Sequence, residues 1–278
     1  MLVLAFDTAT PAVTVAVGDE SQVLAQRTIV DARRQGELLA VSIREVLAEA
    51  GLTGGDLDAI VSGAGPGPYT GLRVGLVTAR VLGSALGVRA YGCCTLDVIA
   101  ADAVPAAAGR EFLVATDARR RELYWARYSA AGLRLSGPAV AAPAALPPGL
   151  PVAGEGAHAY PDQLGEPITP RYPSAATAVR WCAGRLAAGE PLASPDPMYL
   201  RRPDARVPGV RKSVLAVPPG AGGAGAAATG SRGPQAIGGS RGSPPGAGGA
   251  GAAATGSRGP QAIGGSRGSP PWTSTVTP

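Results

Sequence analysis

Histidine and cysteine are scarce in this chain of 278 residues, and each shortage excludes a class of site. The single histidine, His158, cannot form an H-x-x-x-H or H-E-x-x-H metal motif. The three cysteines, Cys93, Cys94 and Cys182, give neither a disulfide framework nor a C-x-x-C pair, which favours a cytoplasmic protein. No apolar run reaches the roughly 18 residues of a membrane span. We therefore expect no metal site and no membrane segment.

Glycine and proline are concentrated in the last quarter of the sequence, which consists mostly of glycine, alanine, proline, serine and arginine. A 26-residue unit, residues 220–245, recurs unchanged as residues 246–271, and each copy carries one isoleucine. So little apolar surface cannot offset the entropy of ordering the chain, and residues 213–278 are predicted to be a disordered tail. The tail holds four arginines and no acid, so the rest of the chain carries a net charge of only +1 of the total +5. The basic composition is therefore weak evidence for nucleic-acid binding by the folded part.

The other residues repeat one order of predicted elements, which indicates an internally duplicated α/β protein. Residues 2–30 read as three strands, with an acidic turn after the first, and a helix follows from residue 35 to residue 50. The second half opens in the same way, with an apolar strand, a turn that begins with Asp117, and further strands. We predict two lobes, residues 1–105 and 106–212, each a mixed sheet flanked by helices.

A glycine- and proline-rich stretch, Gly65–Gly75, joins an apolar strand to a helix that is predicted to run from Gly71 to Leu86. Thr70 occupies the position of a helix N-cap. Small residues recur every fourth position of this helix, at Gly71, Gly75, Ala79 and Gly83. Because glycine within a helix costs about 0.5–1 kcal/mol, such a stripe indicates that another backbone comes close. The stripe fits docking between helices or chains, or packing within one lobe; a phosphate cradle is a third, weaker interpretation because no lysine follows.

Two aspartates, Asp7 and Asp117, each follow an apolar strand at equivalent places in the two halves. Facing a shared cleft, they could hold Mg²⁺, while the hydroxyls of Thr8 and Thr10 receive phosphate oxygens. Equally, each aspartate could simply fix its turn through hydrogen bonds to the backbone. No complete catalytic set accompanies them, and His158 is predicted to lie in a solvated loop.

Five segments carry a family resemblance in their order and spacing: LAFDTATPAVTVAV, GPGPYTGLRVG, CTLDVIA, VATDARRRELYWARY and PMYLRRPDA. Together they resemble the bacterial TsaB (YeaZ) family, over about residues 1–206. The resemblance implies the actin/Hsp70/sugar-kinase-like (ASKHA) fold. It also implies a non-catalytic subunit that pairs with the similar TsaD, which transfers threonylcarbamoyl to adenosine 37 of tRNA, with TsaE as the ATPase.

The resemblance also implies where the partner binds and what the complex consumes. The chain is expected to need no cofactor of its own, to form a homodimer when alone, and to meet tRNA through a complex that uses ATP or ADP and Mg²⁺. The implied partner-binding residues lie on the two helices of the first lobe: Leu39, Ile43, Val46, Gly71, Gly75, Ala79 and Gly83. Asp7, Thr8, Thr10 and Asp117 would then be the vestige of a nucleotide site.

Two enzymatic functions stay open beside this interpretation. A nucleotide-dependent phosphotransferase or ATPase of the same fold would use Asp7 and Asp117. A glycoprotease-like peptidase would need a metal set that the sequence lacks.

Overall fold

Two five-stranded mixed sheets form the core of the computed structural model, which describes residues 1–201. The first sheet contains five strands: β1 (Val3–Asp7), β2 (Ala12–Gly18), β3 (Val23–Val30), β4 (Ala59–Gly63) and β5 (Arg89–Cys93). The second contains β6 (Phe112–Asp117), β7 (Leu123–Tyr128), β8 (Arg134–Ala141), β9 (Val152–Ala153) and β10 (Pro167–Ile168). The helices are α1 (Gln35–Glu49), α2 (Tyr69–Leu86), α3 (Thr95–Ala107), α4 (Glu155–Ala159) and α5 (Ala175–Ala187). The predicted tail, residues 213–278, lies outside the described residues.

The two sheets share one topology, which confirms the predicted duplication and the ASKHA fold class. The first has the order β3-β2-β1-β4-β5, and the second has the matching order β8-β7-β6-β9-β10. In each, the first three strands form an antiparallel meander and the last two pair in parallel. The second copy is shorter at its parallel end, since β9 and β10 have two residues each.

The first two strands of the first sheet are buried throughout, as their apolar composition predicts. Every residue of β1 and β2 is buried, while β3, at the sheet edge, alternates between partly buried and exposed positions around the buried Ala25. A continuous apolar strand is typical of a sheet that is covered on both faces. One face of this sheet packs on α1 and α2, and the other packs on α5.

Each half supplies a helix to the sheet of the other half. Helix α5, from the end of the chain, packs Val179 and Cys182 against Val3 and Val61 of the first sheet. Helix α3, from the first half, packs Leu96 and Ile99 on the second sheet. The predicted lobe boundary, between residues 105 and 106, falls within α3. Residues Met1–Asp204 accordingly form one compact unit.

The start of α2 differs from the prediction. Thr70 lies inside the first turn of α2, whose N-cap is Pro68, without a side-chain cap.

Within the part of the chain that the structure describes, no helix combines the length and the apolar character needed to cross a bilayer.

Candidate functional site

Asp7 ends β1 in a buried position, with only 4% of its surface exposed. The amide of Ala9 donates to Asp7 Oδ1 at 2.6 Å, and the hydroxyl of Thr95 donates to Oδ2 at 2.7 Å. Gly63 on the neighbouring strand leaves room for the carboxylate, since a Cβ there would lie 1.9 Å from Oδ2. Burial raises the pKa of Asp7 to about 6, against the lowering effect of these hydrogen bonds. The side chain therefore links the end of β1 to the start of α3.

The turn after Asp7 is held against helices α1 and α2. The hydroxyl of Thr8 donates to the carbonyl of Gly71 at 2.7 Å. Gln35 Nε2 donates to the carbonyls of Thr8 and Thr10, at 3.1 and 2.6 Å, and the Thr10 hydroxyl accepts from the amide of Ala12 at 3.3 Å. Both threonines are buried. The hydroxyls proposed to receive phosphate are thus engaged within the fold.

Asp117 lies in a different setting, on a polar cavity of about 280 Å³ between the two halves. Its carboxylate accepts from the Arg119 amide at 2.7 Å and pairs with the Arg119 guanidinium at 3.1 Å. Glu155 accepts from the amide of Asp117 at 3.3 Å, and burial raises the pKa of Glu155. The residues that line this cavity are Thr10, Pro11, Ala32, Gln35, Pro68, Thr70, Gly71, Asp117, Arg119 and Glu155.

The structure does not bring the two aspartates together at this cavity, because Asp7 is not among the residues that line it. Instead, Asp7 is enclosed by Ala9, Gly63 and Thr95. Across residues 1–201, no group of three or more His, Cys, Asp or Glu side chains is arranged to hold a metal ion.

The seven predicted partner-binding residues all face the interior of their own half. Leu39, Ile43, Val46 and Ala79 belong to one buried cluster with the first sheet. The three glycines of the stripe are buried as well: a Cβ on Gly71 would lie 2.3 Å from the carbonyl oxygen of Thr8.

A similarly close approach fixes the other two glycines. On Gly75 the added Cβ would lie 2.7 Å from Thr8 Oγ1, and on Gly83 it would lie 2.9 Å from the carbonyl oxygen of Val88. The close neighbour that the stripe accommodates in this structure is the chain itself, so the contact of these seven residues with a partner stays a prediction.

The opposite side of α2 is exposed and largely apolar. Tyr69, Val77 and Val81 are 48%, 56% and 60% exposed, and Arg73 lies between them on the same side. We call these four residues the outer face of α2. Gly36 of α1 borders the outer face and lines an open groove of about 500 Å³ together with three of its residues, Tyr69, Arg73 and Val77. The four positions recur every fourth residue, the same spacing as the small-residue stripe, so the sequence contained the signal for both sides.

A segment near the end of the described chain crosses this helix. The amide of Gly92 donates to the carbonyl of Ala193, and the amide of Met198 donates to the carbonyl of Ala64 at 2.8 Å. Asp196 pairs with Arg80 of α2. We call residues 193–201 the strap.

The strap also reaches the second half and the first turn of α2. Arg201 donates to the carbonyl of Ala118 at 2.8 Å and pairs with Glu122, both in the β6–β7 turn. The ring of Tyr199 stacks on that of Tyr69, with the centroids 5.3 Å apart.

The remaining candidates are structural. His158 lies in α4 rather than in a loop. Tyr124 and Tyr128 are buried, and the Tyr128 hydroxyl donates to Asp97 at 2.8 Å, so these rings do not offer a surface for stacking a base. Burial raises the pKa of the Cys94 thiol to about 12, which keeps it protonated and unreactive.

Comparisons with known proteins agree on one group of relatives. Residues 22–172 match the family model described as TsaD, tRNA N6-adenosine threonylcarbamoyltransferase. An uncharacterized protein of Mycobacterium tuberculosis is 48% identical over 210 residues, which cover 73% of this chain and 93% of that protein. The tRNA threonylcarbamoyladenosine biosynthesis protein TsaB of Escherichia coli K12 is 33% identical over 128 residues, or 46% of this chain and 55% of the other. The solved structure of YeaZ from Pseudomonas aeruginosa superposes with a TM-score of 0.63 at 27% identity, over 72% of this chain and 99% of that one.

Proposed function

This chain belongs to the TsaB (YeaZ) family, and from that membership we propose that it is the non-catalytic subunit that pairs with a TsaD-type transferase in tRNA N6-threonylcarbamoyladenosine biosynthesis. In this proposal the chemistry belongs to the partner, and this chain stabilises or activates it. Helix α2, beside α1, provides the contact, through its outer face rather than through the stripe of small residues.

The outer face of α2 is the observation that carries the proposal. Tyr69, Val77 and Val81 are large apolar side chains, about half exposed, that follow one another on one side of a long helix. Contiguous exposed apolar surface of this kind marks an interaction site, because single scattered apolar residues are common but rows of them are not. The opposite side of the helix, which carries the small-residue stripe, is buried against its own half, so a partner can dock on the outer face without any rearrangement of the core.

The state of Asp7 supports the non-catalytic role. Both carboxylate oxygens already accept hydrogen bonds within the chain, from Ala9 and Thr95. A metal ion would have to reach Asp7 in a buried position, and each of these donors that it displaced would be left unsatisfied at a cost of about 1–3 kcal/mol. This argues against the alternative of a phosphotransferase that uses Asp7 and Asp117 together.

The proposal extends to the other members of the assembly. We propose that a TsaE-type ATPase acts with the pair in the cytoplasm, that ATP or ADP and Mg²⁺ are used by the assembly, and that tRNA is bound by the complex. Alone, the chain is proposed to form a homodimer through the same helices.

The direct experiment is to replace the outer valines with an acid and measure binding to the TsaD-type subunit of the same organism. Val77→Glu or Val81→Glu should weaken binding at least about 10-fold, because each places a charge in an apolar contact. Both side chains are exposed in the free chain, so the thermal unfolding temperature should be nearly unchanged.

The matched control is Leu135→Glu, which makes the same change at a half-exposed leucine of β8 in the second half. It should bind like the unaltered chain. If all three variants bind the transferase equally well, the outer face of α2 is not the contact.

A further inference from the structure

Arg73 is held in a fixed position at the centre of the outer face. Its guanidinium carbon lies 4.1 Å from the centroid of the Tyr69 ring, and its Nε donates to the Tyr199 hydroxyl at 3.4 Å. Tyr69 and Tyr199 stack on each other, so the three side chains support one another. The hydrogen bond to Tyr199 raises the pKa of Arg73, and the side chain stays charged at every physiological pH. An arginine ordered in this way loses little entropy when it binds a partner.

Arg73 also differs from its neighbours in having no acidic partner among the described residues. Along the same helix, Arg80 pairs with Asp196 of the strap. On the side of α1, Arg34 pairs with Glu37 at 2.9 Å, and Arg27 pairs with Glu45.

Helix α2 itself contains no aspartate or glutamate that could serve Arg73. The outer face therefore presents a preorganised positive charge surrounded by apolar side chains. Such a surface is complementary to one that offers a single acid among apolar residues.

We propose that the TsaD-type partner presents a carboxylate to Arg73, with apolar side chains against Val77 and Val81. This inference rests on the proposed function and adds the chemistry of the contact. Arginine suits the role because the edge of its planar guanidinium can donate two parallel hydrogen bonds to a carboxylate while one face of the group stays on the Tyr69 ring. Paired arginines and tyrosines are also the residue types that dominate binding energy at protein interfaces.

The same charges make a second copy of this chain the poorer partner. Two-fold pairing of α2 with its own copy brings Arg73 of both chains to one interface, without any acid from that helix, while Arg80 is already paired with Asp196. On α1, Glu37 and Glu45 already have arginine partners. The uncompensated positive charge favours pairing with a different protein that supplies the acid.

The test measures binding of the full chain to the purified TsaD-type subunit by calorimetry at several salt concentrations. Arg73→Gln should weaken binding about 10- to 30-fold at low salt and make it less sensitive to salt, because the charge pair is lost. Arg73→Glu should weaken it further through like-charge repulsion. Tyr199→Phe, which removes only the hydroxyl that holds Arg73, should give a smaller loss.

The control is Arg89→Gln, since Arg89 is also exposed and lies 5.9 Å from a tyrosine ring, that of Tyr91, on β5. Arg89→Gln should bind as the unaltered chain does. Equal affinities of Arg73→Gln and Arg89→Gln, or an unchanged salt dependence in Arg73→Gln, would overturn this inference while the unaltered chain still bound. Failure of the unaltered chain to bind the subunit would overturn the proposed function itself.

Sedimentation of the chain alone, which measures its self-association, provides a second test. Arg73→Gln should strengthen self-association, because it removes the repulsion between the two copies of Arg73, although it weakens binding to the transferase. A parallel loss of both associations would contradict the charge argument.

Discussion

Asp7 illustrates what can be predicted for a single residue and what cannot. Its position after an apolar strand predicted either a ligand site or a side chain that fixes its turn, and the hydrogen bond from Ala9 agrees with the second. The contact with Thr95 could not be predicted, since the two residues are 88 positions apart and meet only through the sheet topology.

The burial of Asp7 predicts a pH dependence of stability. In the unfolded chain its pKa is near 3.8, and in the folded chain burial raises it to about 6. Between these values the folded state holds the proton more tightly, so the free energy of unfolding falls as the pH rises from about 4 to about 6. The shift corresponds to about 3 kcal/mol at neutral pH.

Asp7→Asn removes this titration and should therefore gain stability relative to the unaltered chain as the pH rises, by up to about 3 kcal/mol. Urea unfolding at pH 4 and pH 7 measures the difference. Asp162→Asn makes the same change of charge at an exposed residue and should show no such trend. A difference between Asp7→Asn and the unaltered chain that does not vary with pH would contradict the account.

At the scale of the element, α2 was predicted correctly as a helix, and the neighbour that its small-residue stripe meets in the structure is its own chain. The start differs by two residues, and the small-residue stripe does approach another backbone closely. A stripe of glycines indicates that another backbone lies close to the helix, but it does not indicate whether that backbone belongs to the same chain. The exposed valines gave the missing information, since Val77 and Val81 are too large for the close approach and too apolar for an ordinary solvent face.

A pair of glycine substitutions separates the two roles of small residues in helices. Gly71→Ala should lower the free energy of unfolding by about 1–3 kcal/mol, because its Cβ would lie 2.3 Å from a backbone oxygen that cannot move freely. Gly184→Ala, in α5, meets nothing within 4 Å and should raise it by about 0.5–1 kcal/mol. Chemical unfolding of both variants measures the contrast, and equal effects would show that helix propensity alone decides.

At the scale of the whole molecule, the repeated order of strands was enough to predict the duplicated fold. The exchange of helices between halves was not predictable, because the sequence of α5 shows an apolar face but not which sheet covers it. Val179 and Cys182 pack on Val3 and Val61, which lie more than a hundred residues earlier in the chain.

This exchange predicts that the first half does not fold alone. A fragment of residues 1–105 lacks α5 and leaves one face of the first sheet uncovered, with Val3, Ala5 and Val61 exposed. It should show no cooperative urea transition, whereas residues 1–204 should unfold in a single transition that circular dichroism and tryptophan fluorescence report together. A cooperative transition in the shorter fragment would mean that α5 is dispensable for the first sheet.

Because of the same exchange of helices, the first sheet is synthesised well before the helix that covers its second face. Strands β1 to β5 emerge from the ribosome early, but the helix that closes their second face is made only when residues 175–187 are translated. During that interval the nascent chain carries an open apolar sheet, the kind of surface that chaperones bind and that aggregates when left unattended. Slow translation of the second half would therefore prolong the vulnerable period of the first.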